Sequence, residues 1–290
     1  MDMKHFLIYT NKHKDKDLIS TYRIKSYLEC KGQKVTLMIK EADWVADTTE
    51  ESEEAKNIPK DVDCMIVLGG DGTVLQAARE TKKLFIPIIG VNLGTLGYMT
   101  EIEPSNLEDS LQKLIDGQFT KESRMMLNGK VNFHCGKPFE EGWALNDVVI
   151  SRRGSMQMLW MDIYVNGQFL HRYKADGMIV ATPTGASSYS LSAGGPLVEP
   201  SAKLIMLTPI CPHSLNHRSI VFDPSDVIEI EIPTGREGQK QTVEAIFDGS
   251  HKISLCSGDR IRIVQSEKIT EFLKLNQMSF MELLHKKFSD

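Results

Sequence analysis

The sequence predicts an α/β N-terminal domain with a parallel sheet, followed by an all-β C-terminal domain. Apolar, strand-like segments alternate with helix-like segments in the first third of the chain. Near Phe119 the pattern changes to short alternating runs that are separated by turn residues. At 290 residues the chain also exceeds the usual size of a single core. We therefore expect two domains, each with its own core.

The predicted elements of the N-terminal domain follow one another in strand and helix order. The strands contain almost only apolar residues, as strands of a parallel sheet covered on both faces do. A further helix from Leu107 to Ile115 is opened by Pro104 and Ser105. The preceding elements are strands at His5–Thr10, Lys34–Ile39, Cys64–Leu68 and Ile86–Val91, and helices at Leu18–Cys30 and Val74–Thr81.

Turn dipeptides mark the second half of the chain. Asn-Gly and Asp-Gly pairs favour the tight turns of β-hairpins because both residues tolerate positive φ. The pairs are Asn128-Gly129, Asn166-Gly167 and Asp248-Gly249. The last segment, Phe272 to Phe288, is predicted to be a strand or loop followed by a helix.

Composition and charge exclude several classes of protein. Hydrophobic residues make up 41% of the chain and charged residues 25%, as in an ordinary globular protein. The net charge of −5 and the scattered basic residues argue against nucleic acid as a partner. The N-terminus lacks the apolar region of a signal peptide, and no run approaches the roughly 20 apolar residues that span a bilayer. We expect a cytoplasmic protein without a membrane partner.

Cysteine and histidine spacing predicts no metal held by direct protein ligation. No C-x-x-C pair occurs, so neither a disulfide framework nor a zinc-site spacing is present. His213 and His217 are four residues apart, but Pro212 and the missing third ligand favour a structural role for both. We interpret the five cysteines as reduced and mostly packing residues: Cys30, Cys64, Cys135, Cys211 and Cys256.

The segment Gly69-Gly70-Asp71-Gly72-Thr73 is the first candidate site. It follows an apolar strand and precedes a helix, so glycines and a helix N-terminus together favour a bound phosphate. Asp71 would repel phosphate directly, which favours a role as a Mg²⁺ ligand through water or as the base that accepts a hydroxyl proton. The alternative is a tight turn in which Asp71 caps the helix.

A second glycine-rich stretch, Asn92 to Tyr98, follows the next predicted strand. Ligands of open α/β sheets lie at the carboxyl ends of the strands, where this stretch is expected. Tyr98 could stack on a base or fill the core, and the residue alone slightly favours the core. The chain has neither G-x-x-x-x-G-K-[ST] nor G-x-G-x-x-G, so neither of these two phosphate-binding motifs is available.

Two polar segments of the β domain are further candidates. Asn146-Asp147 could receive ribose hydroxyls through an amide and a carboxylate, or could simply form a turn. Small hydroxyl residues flank Pro183 and Gly185 within the run Asp176 to Pro200, directly after an apolar strand. Close contact between the backbone and a polar ligand is the simplest explanation of that run.

In order and approximate spacing, these four motifs resemble the NAD kinase family. The resemblance runs from about Cys64 to Asp248 and includes the segment Thr208 to Leu215. It implies the two-domain fold of NAD kinases and diacylglycerol kinases, with the active site between the domains. The implied divisions are an α/β phosphate-donor domain at residues 1–118, a β-rich NAD-binding domain at 119–270, and a tail at 271–290 that packs back on the first domain.

The implied reaction is transfer of a phosphoryl group from ATP, or from polyphosphate, to the adenosine 2′-hydroxyl of NAD, which gives NADP. Asp71 matches the catalytic aspartate, with Mg²⁺ or another divalent cation accompanying ATP. The resemblance also implies a homodimer or homotetramer, and we expect a tetramer. The implied substrate-binding residues are Gly70, Gly72, Thr73, Tyr98, Asn146, Asp147, Lys174, Asp176, Thr182, Thr184, Ser187, Ser188 and Tyr189.

The sequence departs from the family pattern in one place. Ala186-Ser187-Ser188-Tyr189 has a serine at 188 where the family usually has alanine. The extra hydroxyl is small, but it changes the surface expected beside the adenine, so the family's detailed adenine specificity does not carry over.

Two other functions compete with this interpretation. A lipid kinase of the diacylglycerol or sphingosine type would need an apolar slot for an acyl chain, whereas Thr182 to Ser190 is rich in hydroxyls. A non-catalytic NADP-sensing module would not need an acid at Asp71. Phosphofructokinase shares the Gly-Gly-Asp-Gly loop, but the convergent Arg and His residues of a sugar-phosphate site cannot be identified here.

Overall fold

A computed structural model describes residues 3–41, 56–81, 84–95, 97–154, 158–214, 218–275 and 278–289. The chain divides into two compact units. Unit 1 comprises Met1–Ser123 together with Thr270–Asp290, and unit 2 comprises Arg124–Ile269. The first segment of unit 1 ends at Ser123, four residues after Phe119, where the sequence pattern changes from α/β to β.

Unit 1 is built on a parallel sheet in the order β2-β1-β3-β4, with β5 beside β4. Its strands are β1 His5–Asn11, β2 Lys34–Lys40, β3 Cys64–Gly69, β4 Ile88–Asn92 and β5 Thr100–Ile102. Its helices are α1 Ile19–Cys30, α2 Asp71–Glu80, α3 Leu107–Ile115 and, at the C-terminus, α5 Phe280–Ser289. Every residue of β1, β3 and β4 is buried, as expected for a sheet covered on both faces.

Two predicted boundaries in unit 1 are wrong by two or three residues. β4 begins at Ile88 instead of Ile86, since Pro87 has no N–H to donate and Phe85 adopts a positive φ of 52°. α2 begins at Asp71 instead of Val74, so the glycine-rich loop runs directly into the first helical turn.

Unit 2 contains two antiparallel sheets. One has six strands in the order β13-β12-β11-β8-β15-β16, and the other includes β10-β9-β14-β17 and the β6–β7 hairpin. The only α-helix among the described residues of unit 2 is the single turn α4, Tyr189–Ser192. The strands are β6 Thr120–Asn132, β7 Glu140–Ala144, β8 Asp147–Arg152, β9 Leu159–Val165, β10 Gln168–Ala175, β11 Gly177–Ala181, β12 Ile205–Ile210, β13 Ile220–Phe222, β14 Ile228–Glu231, β15 Thr242–Phe247, β16 His251–Cys256 and β17 Arg260–Lys274.

Two of the three predicted hairpin turns are confirmed. Asn166 and Gly167 have φ values of 52° and 77° between β9 and β10, and Asp248 and Gly249 have values of 47° and 68° between β15 and β16. Positive φ at both central residues is the geometry that matches the twist of the flanking strands.

The third predicted turn is wrong, because Asn128-Gly129 lies inside β6. A Cβ atom at Gly129 would lie 2.7 Å from the ring of Phe247, and one at Gly142 of the paired strand would lie 2.8 Å from the same ring. Glycine is required here because the fully buried Phe247 packs directly on the backbone of the β6–β7 hairpin. Gly129 is therefore explained by close packing against Phe247 and not by a turn.

No helix among the described residues combines the length and the hydropathy that crossing a membrane would require.

We predict that Gly142→Ala lowers the free energy of unfolding by about 1–3 kcal/mol, because the added methyl group overpacks against Phe247. Urea denaturation measures the change. Gly94→Ala is the control, since Gly94 is exposed and no atom outside its chain neighbours lies within 4 Å of its Cβ position. Equal stability of the two variants would contradict the packing described for Phe247.

Candidate active site

The two glycine-rich segments of unit 1 begin at neighbouring strands. β3 and β4 are parallel, and their last paired residues are Gly69 and Asn92. The loop Gly69–Thr73 and the stretch that starts at Asn92 therefore leave the sheet side by side at its carboxyl edge. This is the edge at which open α/β sheets bind ligands.

The first turn of α2 follows immediately after β3. Gly70 is the N-cap residue in extended conformation, and its carbonyl oxygen accepts hydrogen bonds from the N–H groups of Thr73 and Val74. A Cβ atom at Gly69 would lie 2.3 Å from the Oγ1 atom of Thr73, so only glycine allows this close approach. The N-terminal N–H groups of a helix have no acceptor within the helix and favour an anion.

Asp71 connects the two glycine-rich segments. Its Oδ2 atom accepts a hydrogen bond from the N–H of Tyr98 at 2.7 Å, and its Oδ1 atom accepts one from the N–H of Met99 at 2.9 Å. The alternative in which Asp71 caps the helix is wrong, because Asp71 is the first helical residue and makes no capping hydrogen bond. At Gly97 a Cβ atom would lie 2.1 Å from Oδ1, so glycine is required beside the carboxylate.

Tyr98 is half-buried and does not belong to the core of unit 1, so the interpretation as a core residue is wrong. Its ring lies 4.3 Å from the Nζ atom of Lys287, measured to the ring centroid. Burial raises the pKa of its hydroxyl, and the negative charge of Asp71 raises it further. Leu96, in the same stretch, lies outside the described residues.

In unit 2 Asn146 lies in a bend before β8, and Asp147 is the first residue of that strand. Asp248, buried in the β15–β16 turn, accepts hydrogen bonds from three consecutive N–H groups in this bend. The donors are Leu145 and Asn146, both at 2.8 Å, and Asp147 at 3.2 Å. The backbone of the bend is therefore fixed by one carboxylate about 100 residues further along the chain.

The segment after β11 packs against the same bend. The N–H of Thr182 donates to the carbonyl of Asn146 at 2.8 Å, and its hydroxyl donates to the carbonyl of Leu145 at 2.5 Å. A Cβ atom at Gly185 would lie 2.2 Å from the carbonyl oxygen of Asn146. The structure thus brings together the two polar segments that the sequence singles out in the β domain.

The side chains of Asn146 and Asp147 are both buried. The Oδ1 atom of Asn146 has no hydrogen-bond partner among the described residues. Burial, followed by the nearby charge of Asp248, raises the pKa of Asp147 to about 7. Asp147 is thus partly protonated near neutral pH and can both donate and accept hydrogen bonds.

Two charged partners of this region were not predicted from the sequence. Arg124, a buried residue of β6, donates to the hydroxyl of Thr184 at 3.3 Å. Arg152, at the end of β8, donates to the carboxylate of Asp176 at 2.8 Å. Neither arginine belongs to a recognisable motif, so only the fold reveals these contacts.

The remaining predicted site residues lie closer to the surface. Ser187 is half-buried at the end of a short 3₁₀ turn, while Ser188 and Tyr189 are exposed where α4 begins. Lys174 is exposed, with its Nζ atom 4.3 Å from the centroid of the Trp160 ring.

The interpretation of the cysteines as mostly packing residues is wrong. Cys64 is buried in the sheet of unit 1, but Cys30, Cys135 and Cys211 are exposed and Cys256 is half-buried. All five are free thiols. Of the two histidines considered as a pair, His217 lies outside the described residues.

Comparison with known proteins identifies related sequences over almost the whole chain. The family model for the ATP-NAD kinase N-terminal domain matches residues 6–119, and the model for the ATP-NAD kinase C-terminal domain matches residues 145–275. The NAD kinase of Lachnospira eligens is 44% identical over 98% of this chain and 100% of its own length. The NAD kinase of Agathobacter rectalis is 42% identical over 99% of each chain.

Solved structures show the same fold. Yeast NADH kinase complexed with NADH superposes with a TM-score of 0.83 at 23% identity, over 100% of this chain and 88% of its own. The NAD kinase from Archaeoglobus fulgidus in complex with ATP gives a TM-score of 0.75 at 27% identity, over 99% of this chain and 100% of its own.

The fold and these matches define a phosphotransferase that acts on an alcohol group. The chain belongs to the NAD kinase family. The predicted family, fold class and type of enzyme are confirmed, and the match extends beyond the segment from Cys64 to Asp248 that carries the sequence motifs. The functions assigned to individual residues and domains stay predictions.

We predict that Asp147 makes stability depend on pH. A carboxyl group whose pKa is about 7 in the folded state and about 4 in the unfolded state stabilises the fold below pH 4, and this contribution is lost as pH rises through 7. The free energy of unfolding should therefore fall across this window, by at most about 1.4 kcal/mol per pH unit. Urea denaturation at a series of pH values measures the slope.

Asp147→Asn is the test of this assignment, because it removes the titrating group and should flatten the slope. Asp248→Asn should instead narrow the window from its upper end, since it removes a charge that, together with burial, raises the folded-state pKa of Asp147. A wild-type slope that survives unchanged in Asp147→Asn would show that another group is responsible.

Proposed function

We propose that this protein transfers the γ-phosphoryl group of ATP to the adenosine 2′-hydroxyl of NAD, with Asp71 as the general base. The observation that carries the proposal is the geometry of Asp71 at the start of α2. Its carboxylate is held by two backbone N–H groups beside a glycine-rich loop suited to phosphate. The Archaeoglobus fulgidus NAD kinase in complex with ATP supports the choice of donor.

In the reaction, the 2′-oxygen of NAD forms a bond to the γ-phosphorus while the bond from that phosphorus to the bridging oxygen of ADP breaks. Asp71 accepts the hydroxyl proton, so charge and atoms balance. The N–H groups of the first turn of α2 stabilise the negative oxygens of the transferred group. Polyphosphate presents the same terminal phosphoryl group and can take the place of ATP at this helix end.

The residues present fit a divalent cation that arrives with the nucleotide. Mg²⁺ usually keeps several waters and binds through one or two carboxylates together with substrate phosphates. Among the described residues no group of three His, Cys, Asp or Glu side chains includes Asp71, so a cage formed by protein alone is not available there. When bound, the ion neutralises charge on the phosphates, and Asp71 is the residue that would hold it through water.

The polar bend of unit 2 supplies contacts for NAD. The unpaired Oδ1 atom of Asn146 can accept a hydrogen bond from a ribose hydroxyl, which would satisfy a buried acceptor that otherwise lacks a partner among the described residues. Asp147 lies next to it and can donate or accept as the ribose requires. We assign this pair to the ribose on the nicotinamide side.

The adenine side is assigned to the segment after β11 and to Tyr98. Asp176, held by Arg152, and Lys174 are assigned to the nicotinamide end. The hydroxyl groups on and beside the short turns offer hydrogen bonds to adenine and its ribose. They belong to Thr182, Thr184, Ser187, Ser188 and Tyr189.

We also propose that the active form is a homotetramer. The edge strand β10 exposes Phe169 and Leu170, and an edge strand with exposed apolar side chains is suited to a second copy of the chain. A size measurement that finds a stable, fully active monomer would contradict this proposal.

The general-base role predicts that Asp71→Asn lowers turnover of NAD by about 10²- to 10⁴-fold, because the amide cannot accept the hydroxyl proton. Binding of NAD should change little. NADP production from NAD, ATP and Mg²⁺ can be followed with an NADP-specific dehydrogenase, and binding can be measured by calorimetry.

Asp116→Asn is the matched control, since Asp116 follows α3 and its side-chain contact is with Gln112. Equal turnover of Asp71→Asn and the control would end the general-base proposal. If the wild type binds NADP tightly but makes none, the NADP-sensing alternative replaces the kinase. If it binds no dinucleotide, a lipid acceptor becomes the substrate to test.

A further inference from the structure

Unit 2 contains a group of metal-ligating side chains that the proposed function does not use. His134, Cys256 and Asp259 each offer one ligand atom, and these atoms lie within 4.8 Å of one another. His134 lies just after β6, and the other two residues begin and end the turn that joins β16 to β17. The spacing of the cysteines did not predict this group, because the fold brings two distant segments together.

The β16–β17 turn is held firmly on both sides. The N–H of Asp259 donates to the carbonyl of Cys256 at 2.9 Å, which closes the turn. Ile232, in the neighbouring segment after β14, donates to the carbonyl of Asp259 at 3.0 Å and accepts from the N–H of Gly258 at 2.7 Å. Cys256 and Asp259 are therefore preorganised relative to each other.

The segment after β6 is joined to this turn through Asp259. The backbone N–H of His134 lies 2.9 Å from Oδ1 of Asp259, and its Nδ1 atom lies 2.8 Å from the same oxygen. A Cβ atom at Gly258 would lie 2.9 Å from Cγ of His134, so glycine lets the imidazole approach the turn. Nearly half of the His134 side chain remains exposed, so an ion can reach the group from solvent.

The carboxylate of Asp259 contacts both partners. Its Oδ2 atom accepts a hydrogen bond from the backbone N–H of Cys256 at 2.8 Å, and its Oδ1 atom makes the two contacts with His134. Only 3% of the Asp259 side chain is exposed, so this carboxylate is held in place between the imidazole and the segment that bears the thiol.

We propose that His134, Cys256 and Asp259 form a zinc-binding site. Imidazole, thiolate and carboxylate are the ligand types that Zn²⁺ takes in proteins, whereas Mg²⁺ and Ca²⁺ prefer oxygen alone. Ligand atoms around a tetrahedral zinc ion lie roughly 3–4 Å apart, so the present separations require only small movements of the exposed His134. Water can complete the coordination, as it does in zinc sites with three protein ligands.

Zinc at this site would join the end of β6 to the β16–β17 turn, and both segments belong to unit 2. Its effect is on the stability of that unit, because an ion that binds only the folded state raises the unfolding temperature. Proton release should accompany binding, since the Cys256 thiol must lose its proton to become a ligand.

The experiment uses the full-length, tag-free protein, reduced and freed of metal by a chelator that is then removed. Co²⁺ is the probe, because thiolate ligation gives an absorption band in the near ultraviolet and tetrahedral geometry gives intense bands in the visible region. One equivalent of Co²⁺ should produce both sets of bands, and Zn²⁺ should abolish them by displacement. Absence of the thiolate band at stoichiometric Co²⁺ would overturn the proposal.

Cys256→Ser should lose the thiolate band and the rise in unfolding temperature with Zn²⁺, while Cys211→Ser, which removes an exposed thiol elsewhere in unit 2, should retain both. His134→Ala should weaken Co²⁺ binding at least tenfold without unfolding the protein, because this side chain is half-exposed. Unchanged bands in Cys256→Ser would overturn the site.

Discussion

Hydrogen bonds from backbone N–H groups to buried or half-buried aspartates hold the candidate site segments of both units. These segments lack regular secondary structure, so their N–H groups have no acceptors in a helix or sheet and must find them elsewhere. In unit 1 the acceptor is Asp71, which binds the N–H groups of Tyr98 and Met99. In unit 2 it is Asp248, which binds three consecutive N–H groups at the bend before β8. Charge-assisted hydrogen bonds of this kind are stronger than those between neutral groups.

Glycine is required where a carboxylate or carbonyl oxygen of one segment lies directly against the backbone of another. Gly97 lies against the carboxylate of Asp71, and Gly185 lies against the carbonyl of Asn146. In both places any side chain would force the segments apart by more than an ångström. Glycine in the two candidate regions is therefore required for close packing between two segments of the chain. A glycine-rich sequence motif alone does not distinguish this requirement from the binding of a phosphate.

The sequence predicted the elements that depend on local chemistry. Apolar runs located the parallel strands of unit 1, and Asn166-Gly167 located a hairpin, because both patterns act within a few residues. Features that depend on distant packing were missed. The sequence pattern predicts a turn at Asn128-Gly129, because Phe247, the residue that packs on Gly129, lies more than 100 residues away. The hydrogen bonds of Asp248 and the grouping of His134 with the β16–β17 turn could not be predicted either. Both join residues that are about 100 or more positions apart in the sequence, so neither produces a local sequence pattern.

Two independent requirements, one on the backbone conformation and one on the side chain, restrict which residue can occupy position 248. With a φ of 47° the backbone favours glycine, asparagine or aspartate, because bulkier residues are strained there. Its side chain must also present two oxygen acceptors at the correct distance from the backbone. Glycine has no side-chain acceptor, asparagine has only one oxygen, and the side chain of glutamate is longer by one methylene group. Aspartate alone satisfies both conditions. A hairpin turn, which usually tolerates substitution, is thus as restrictive at this one position as the core of the protein.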